Sequence, residues 1–176
     1  MVSLAPMLNP SLRFLLTLIL FISATPALAG ETFRALTYNL WGLSAPFSKN
    51  LESRIDGFCS HLKAQAPEDR WDVILLQEVW SPWIAERLKN CGYEHTVRLD
   101  SGSRETGLMI LSPHSLEAAQ RMIFKAQPKG WDALKNGESL VTKGALIAIV
   151  RHPELGSYFV ANTHVAAGQI RLDREG

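Results

Sequence analysis

Val73-Ile74-Leu75-Leu76 is a run of four apolar residues that stops at Gln77-Glu78 with no turn residue between. A strand with one wet face would alternate, so a short run that is apolar at every position reads as a strand covered on both faces. The chain must therefore bring packing elements to both sides of this segment. The composition allows it: 47% of the 176 residues are hydrophobic and 20% are charged, which excludes a disordered polymer. Two Cys are too few for a disulfide-built scaffold, and a net charge of +1 argues against a general nucleic-acid-coating protein.

The first residues carry a different signature. Arg13 is the only charge before Glu31, residues 14–22 form an apolar run, and Ala27-Leu28-Ala29 supplies a small-x-small end. That is the pattern of a cleaved secretory signal, and the run is shorter than the roughly 20 residues of a membrane span. An uncleaved anchor is the alternative. The expectation is a signal over residues 1–29, cleaved after Ala29, and one secreted or periplasmic domain over residues 30–176. In an oxidising compartment Cys59 and Cys91 could pair; two buried thiols fit the sequence equally well.

Residues 32–39 alternate and are rich in β-formers, which predicts a strand, and 41–46 break it. Leu51, Ile55, Phe58, Cys59 and Leu62 recur at helical spacing with Glu52, Arg54, Asp56 and Lys63 between them. This predicts an amphipathic helix started by Ser48 or Asn50. Ser81-Pro82 reads as the cap and first residue of a second helix, ending near Asn90. Strands are expected at 93–99, 107–111, 118–126, 144–150 and 158–162, with an irregular connection over 127–142. Helices come early and strands dominate late, so the class is α/β (α+β) in one domain.

Polar residues recur at the strand ends. Asn39 ends the first strand, Gln77-Glu78 the second, and Asn162-Thr163-His164 the last. Oxygen donors converging from several strand ends make a site for a hard cation, typically Mg²⁺, and a His at the same rim can donate to an oxyanion or move a proton. Taken singly, Asn39 is a turn former, Glu78 a helix-start charge and His164 a surface residue. Their combination carries the argument.

The blocks Leu36-Thr37-Tyr38-Asn39-Leu40-Trp41, Asp72-Val73-Ile74-Leu75-Leu76-Gln77-Glu78-Val79-Trp80, Thr106-Gly107-Leu108-Met109-Ile110-Leu111-Ser112 and Val160-Ala161-Asn162-Thr163-His164-Val165 come in an order that resembles the endonuclease/exonuclease/phosphatase superfamily. That superfamily includes DNase I-like nucleases, inositol phosphatases and neutral sphingomyelinases. The resemblance implies the first half of a four-layered DNase I-like β-sandwich flanked by helices, with Mg²⁺ or another divalent cation at the strand ends. It implies that Glu78 is the direct metal ligand, that Asn39 sits at the metal and orients a water or a phosphate oxygen, and that His164 contacts the scissile phosphate. Glu138-Ser139-Leu140-Val141-Thr142-Lys143-Gly144 resembles the Asp-x-x-x-x-Lys-Gly segment of neutral sphingomyelinases, with Glu138 in place of the Asp. Lys143 then approaches a substrate phosphate, against the plain alternative of a solvated loop lysine, and Asn162 joins it as a substrate-binding residue.

Other residues have blander readings. Trp41 and Trp80 flank the site and are expected to pack at the sheet edge, with contact to a ligand as the alternative; Trp83 and Trp131 either touch a membrane surface or fill the core. His61, His95, His114 and His152 lack carboxylates at a ligand-like spacing and read as surface or structural. Members of the superfamily carry, after the Asn-Thr-His block, an Asp-x-Asn pair and a late Asp-His pair, and no His follows His164 here. The 176 residues thus correspond to about the first half of the resembling domain and are expected to be inactive alone. The leading expectation is a secreted Mg²⁺-dependent phosphodiesterase acting on sphingomyelin or a related phospholipid head group. A near-neutral chain makes nucleic acid the less favoured substrate, and no obligate protein partner is implied. A DNase I-like nuclease or sugar-phosphate phosphatase, and a non-catalytic secreted remnant, are the alternatives.

Overall fold

The computed structural model describes residues 32–43, 46, 48–100, 105–125, 127 and 141–165. The expected signal, Arg104, Trp131, Glu138, most of the 127–142 connection and everything after 165 lie outside the described residues. The elements are β1 (Ala35–Asn39), α1 (Leu51–Lys63), a 3-10 turn at Pro67–Asp69, β2 (Val73–Gln77), α2 (Pro82–Lys89), β3 (His95–Val97), β4 (Met109–Ser112), β5 (Ser115–Ile123), β6 (Gly144–His152) and β7 (Gly156–Thr163).

The strands form two sheets, ordered β1-β2-β4-β3 and β5-β6-β7. β1 and β2 are parallel, in register from Ala35↔Val73 to Asn39↔Gln77; every other pair is antiparallel. A parallel pair needs a crossover, which α1 supplies. The consequence is that β1 and β2 end side by side, with Asn39 next to Gln77 and Glu78.

The apolar run at 73–76 is buried on both faces, as its lack of alternation required. On one side Ile74, Leu76, Met109 and Leu111 pack with Ile55, Cys59 and Leu62 of α1 and Ile84, Ala85 and Leu88 of α2. On the other, Val73, Leu108 and Ile110 pack with Leu146, Ala148 and Val150 of β6. The two sheets therefore stack as a sandwich, with helices over the first. The second sheet turns its other face outward: Tyr158 and Val160 of β7 point into the core, while Phe159 between them is 71% exposed, and Met122 on β5 is 50% exposed.

Local differences from the sequence reading have local causes. Only His95–Val97 of the expected 93–99 strand is paired, because Tyr93 turns inward and is buried under α1 and α2. β5 starts at Ser115, three residues before its expected start, because a bulge between Glu117 and Gln120, with Ala118 at φ 49°, breaks the alternation that marks a strand. Ser48 does not cap α1: Asn50 holds the cap position without a side-chain bond, and Ser48 Oγ accepts from Arg54 instead. Cys59 and Cys91 are joined as a disulfide with Cα atoms 4.5 Å apart, tying α1 to the turn after α2.

Candidate active site at the strand ends

Glu78 follows β2 with φ 61°, in the left-handed region that a non-glycine residue enters at a cost of about 1 kcal/mol or more. Its neighbours over-determine that conformation. Gln77 O accepts from Leu40 N at 3.0 Å, and Val79 N donates to Gly107 O at 2.8 Å. The Glu78 carbonyl lies so close to Gly42 that a Cβ there would stand 2.0 Å from its oxygen, which is why the backbone requires glycine at 42.

This turn aims the Glu78 carboxylate at the end of β1. Asn39 Nδ2 donates to Glu78 Oε1 at 2.8 Å, and Asn39 Oδ1 accepts from Trp41 N at 2.8 Å, so the amide is held at both ends. His164 follows β7 and brings Nε2 to 3.8 Å from Glu78 Oε1, with the two side chains 22% and 15% exposed. Three groups from three strands, two on one sheet and one on the other, thus meet at one rim open to solvent. A single carboxylate with an amide and an imidazole beside it suits a hard cation that keeps several waters and takes its remaining oxygens from substrate.

Directly beneath the rim the sheets are tied together. Gln77 Nε2 donates to Asn162 Oδ1 at 2.8 Å, and Asn162 Nδ2 donates to Leu76 O at 2.7 Å and Met109 O at 3.0 Å. Asn162 is 1% exposed, since the alternation of β7 points it between the sheets. Its amide is engaged by protein atoms, so its place is that of a brace, and the substrate contact expected of it is not what the geometry provides. Lys143 immediately precedes β6, whose first residues pair with the end of β7 through Ala145↔Thr163, so it enters at the same end as His164. Its 4% exposure removes the solvated-lysine alternative.

The tryptophans separate. Trp80 packs as expected, its ring so close over Gly107 that a Cβ there would stand 2.5 Å away. Trp41 does not pack: it is 53% exposed, with the Arg54 guanidinium 5.4 Å over its ring, and Tyr38 beside it is 45% exposed. Trp83 is 40% exposed.

A second cluster escaped the sequence reading. Asp72, His114 and His152 bring three ligand-type atoms within 4.8 Å of one another, the one such group of potential metal ligands among the described residues. It lies before β2, six residues or about 20 Å of extended chain from Glu78, at the opposite end of the sandwich. Asp72 Oδ1 is 3.0 Å from His114 Nε2 and 3.4 Å from His152 Nε2, and Asp72 also accepts from Arg34 N. His152 Nδ1 accepts the backbone N–H groups of Glu154 and Leu155 at 3.1 and 3.0 Å. That arrangement places the ring proton on Nε2, facing Asp72, where an ion would have to displace it. His114 and His152, expected to be surface or structural residues without a carboxylate at a ligand-like spacing, do have one. It stands 42 and 80 residues before them in the chain, and no local spacing could reveal it.

The sequence pattern of the Endonuclease/Exonuclease/phosphatase family matches residues 36–173, and the chain belongs to that family. It is 27% identical over 139 residues to an inositol phosphosphingolipids phospholipase C of Schizosaccharomyces pombe, an alignment covering 76% of this chain and 31% of that protein. In structure it is similar to sphingomyelinase C from Streptomyces griseocarneus (TM-score 0.56, 18% identity, 77% of this chain and 50% of that one). It is also similar to a β-hairpin deletion mutant of beta toxin from Staphylococcus aureus (TM-score 0.60, 14% identity, 79% and 53%). The chain thus spans about a third of the curated relative and about half of each solved structure, and the DNase I-like sandwich is present in part.

Proposed function

We propose that this chain supplies the cation-holding strand ends of an exported Mg²⁺-dependent phosphodiesterase that cleaves the head group of a sphingolipid or related phospholipid. The observation that carries the reading is the convergence of Asn39, Glu78 and His164 from both sheets onto one solvent-open rim. The names of the similar proteins favour a phospholipid over a nucleic acid, as do the exposed Tyr38 and Trp41 beside the rim, which suit contact with a lipid surface. The signal pattern over residues 1–29 and the Cys59–Cys91 bond both fit export.

When bound, a divalent cation polarises the phosphoryl group and offsets the charge that grows on its oxygens. The chain's own residues prepare for that. Glu78 offers the carboxylate. Asn39 occupies Oε1 with a hydrogen bond and so fixes the orientation of the group. His164 presents Nε2 at the rim, where as a donor it would hold a phosphoryl oxygen in the transition state. Lys143, entering at the same end, adds positive charge toward an anionic head group.

The test uses the full-length protein, assayed for phosphocholine release from sphingomyelin vesicles and for nicking of plasmid DNA, each with Mg²⁺ and with EDTA. The expected result is Mg²⁺-dependent release without nicking, reduced about 10³-fold by Glu78→Gln through loss of several kcal/mol of charge stabilisation. Nicking without release would move the function to a nuclease. Turnover indifferent to EDTA and to Glu78→Gln would overturn the reading altogether.

A further inference from the structure

The strained conformation of Glu78 needs something to hold it, and the nearest candidates, Gly107 and Val79, are themselves held. Asp100 has no exposed side-chain surface and accepts four hydrogen bonds: from Thr106 N at 2.8 Å, Thr106 Oγ1 at 2.7 Å, Gly107 N at 2.7 Å and Arg121 Nη1 at 3.3 Å. Two guanidinium groups face it, Arg121 Nη1 at 3.3 Å and Arg98 Nη2 at 3.7 Å, and Arg98 also pairs with Glu105 at 3.4 Å. The network reaches the residue after Glu78 from both sides. Val79 N donates to Gly107 O at 2.8 Å, and Val79 O accepts from Arg98 Nε at 3.2 Å.

A carboxylate is fully buried here, yet it touches neither the rim nor any group the proposed chemistry uses. Burying it is costly unless it is paired and bonded; three of its four bonds come from the loop that fixes the peptide following Glu78, and the fourth from Arg121 on β5. Gly107 sits at φ 65°, so only a firmly held turn keeps its carbonyl aimed at Val79.

We propose that Asp100, with Arg98 and Arg121, is a positioning unit that keeps Glu78 in its left-handed conformation and so directs the carboxylate to the rim. This rests on Glu78 being the cation ligand. Asp100 acts only through Gly107 and Val79.

The experiment measures Mg²⁺ binding to the full-length protein by calorimetry and, independently of metal, thermal unfolding in EDTA. Asp100→Asn keeps the size but loses the charge. It is expected to raise the Mg²⁺ dissociation constant about 10–100-fold, as loss of a residue supporting a ligand does elsewhere. Arg98→Lys keeps the charge and loses the Nε donor to Val79 O; it is expected to weaken binding in the same direction, and it serves if Asp100→Asn fails to fold. The metal-free arm is a double-mutant cycle with Glu78→Gly, a residue at ease at positive φ. If the unit restrains Glu78, Asp100→Asn lowers Tm less with Glu at 78 than in the Glu78→Gly background, because Glu78 relaxes when released and glycine has nothing to relax. Additive Tm shifts would overturn the proposal whether or not the site binds metal. A failure of Glu78→Gln to alter Mg²⁺ binding, alongside a non-additive cycle, would overturn the ligand reading and leave the restraint standing.

Discussion

Gln77 and Asn162 stand 85 residues apart in sequence and share a hydrogen bond of 2.8 Å that joins the two sheets directly under the rim. Each is followed closely by a candidate functional residue, Glu78 after the first and His164 two positions after the second. The brace and the site are thus one device, since the bond that sets the spacing of the sheets also sets the separation of the carboxylate and the imidazole.

Asn162→Ala should therefore damage both stability and site. It would leave the Leu76 and Met109 carbonyls and the Gln77 amide buried with a lost partner, a loss of about 2–3 kcal/mol in urea-induced unfolding. Asn162→Asp should cost more, because it sets a carboxylate against two carbonyl oxygens. An unchanged unfolding midpoint for either variant would mean that the brace is not formed.

Glu78→Gly should separate function from stability. It removes the only carboxylate at the rim among the described residues while relieving a positive φ, so Mg²⁺ affinity is lost. The unfolding free energy changes by less than about 1 kcal/mol, strain relief offsetting the greater freedom of glycine in the unfolded chain. A large loss of stability would show that Glu78 has a packing role the geometry does not reveal.

The Cys59–Cys91 bond closes a loop of 32 residues between α1 and the turn after α2. Replacing both cysteines by serine should lower stability by about 3–4 kcal/mol on the chain-entropy account. Reduction of the unaltered protein should produce a similar shift in its denaturant midpoint; no shift on reduction would show that the thiols are unpaired in solution.

Alkaline pH should weaken the helix layer. Burial pushes the Tyr93 phenol above its ordinary 10.0, so the folded state favours the neutral form. The unfolded chain then loses that proton first. The contribution is complete below the ordinary value and is lost as pH rises through the higher folded one. In a thermal scan series from pH 9 upward, Tyr93→Phe should show a shallower decline than the unaltered protein. At neutral pH it should cost about 1 kcal/mol for the bonds to Trp71 N and Gln65. Parallel declines would show that Tyr93 titrates alike in both states.

Much of this was legible in the sequence because it is local. The unbroken run at 73–76 announces a doubly covered strand, and the helical spacing from Leu51 to Leu62 announces the helix that covers it. The rim residues could be named because each ends or directly follows its strand, so alternation and chain direction place them together. What escaped notice depends on contacts between distant segments. Asp72 meets His114 and His152 only once the chain has crossed from β4 to β5 and the second sheet is stacked on the first. Asp100 lies in a stretch of Asp, Ser, Gly and Arg between two expected strands, and it is faced there by Arg98, two residues before it, and by Arg121 on β5. Asn162 belongs to a recognisable block, yet its inward direction is set by the register of β7 on β6. Trp41 was expected to pack, with ligand contact the alternative, and the positive φ that turns it outward has no signal in the sequence.

The parallel pairing of β1 with β2 also bears on the order in which the molecule comes together. β6 and β7 are joined by residues 153–155 alone and can close in microseconds, whereas β1 must wait for α1 to cross before it meets β2. Closing the Gln77–Asn162 bond spans the longest of these loops and carries the largest entropy cost. Amide protection should accordingly arise first in the β6–β7 hairpin and last along β1. The rim that holds Asn39, Glu78 and His164 is then assembled at the end of folding, and an intermediate with a well-formed second sheet would lack the proposed cation site.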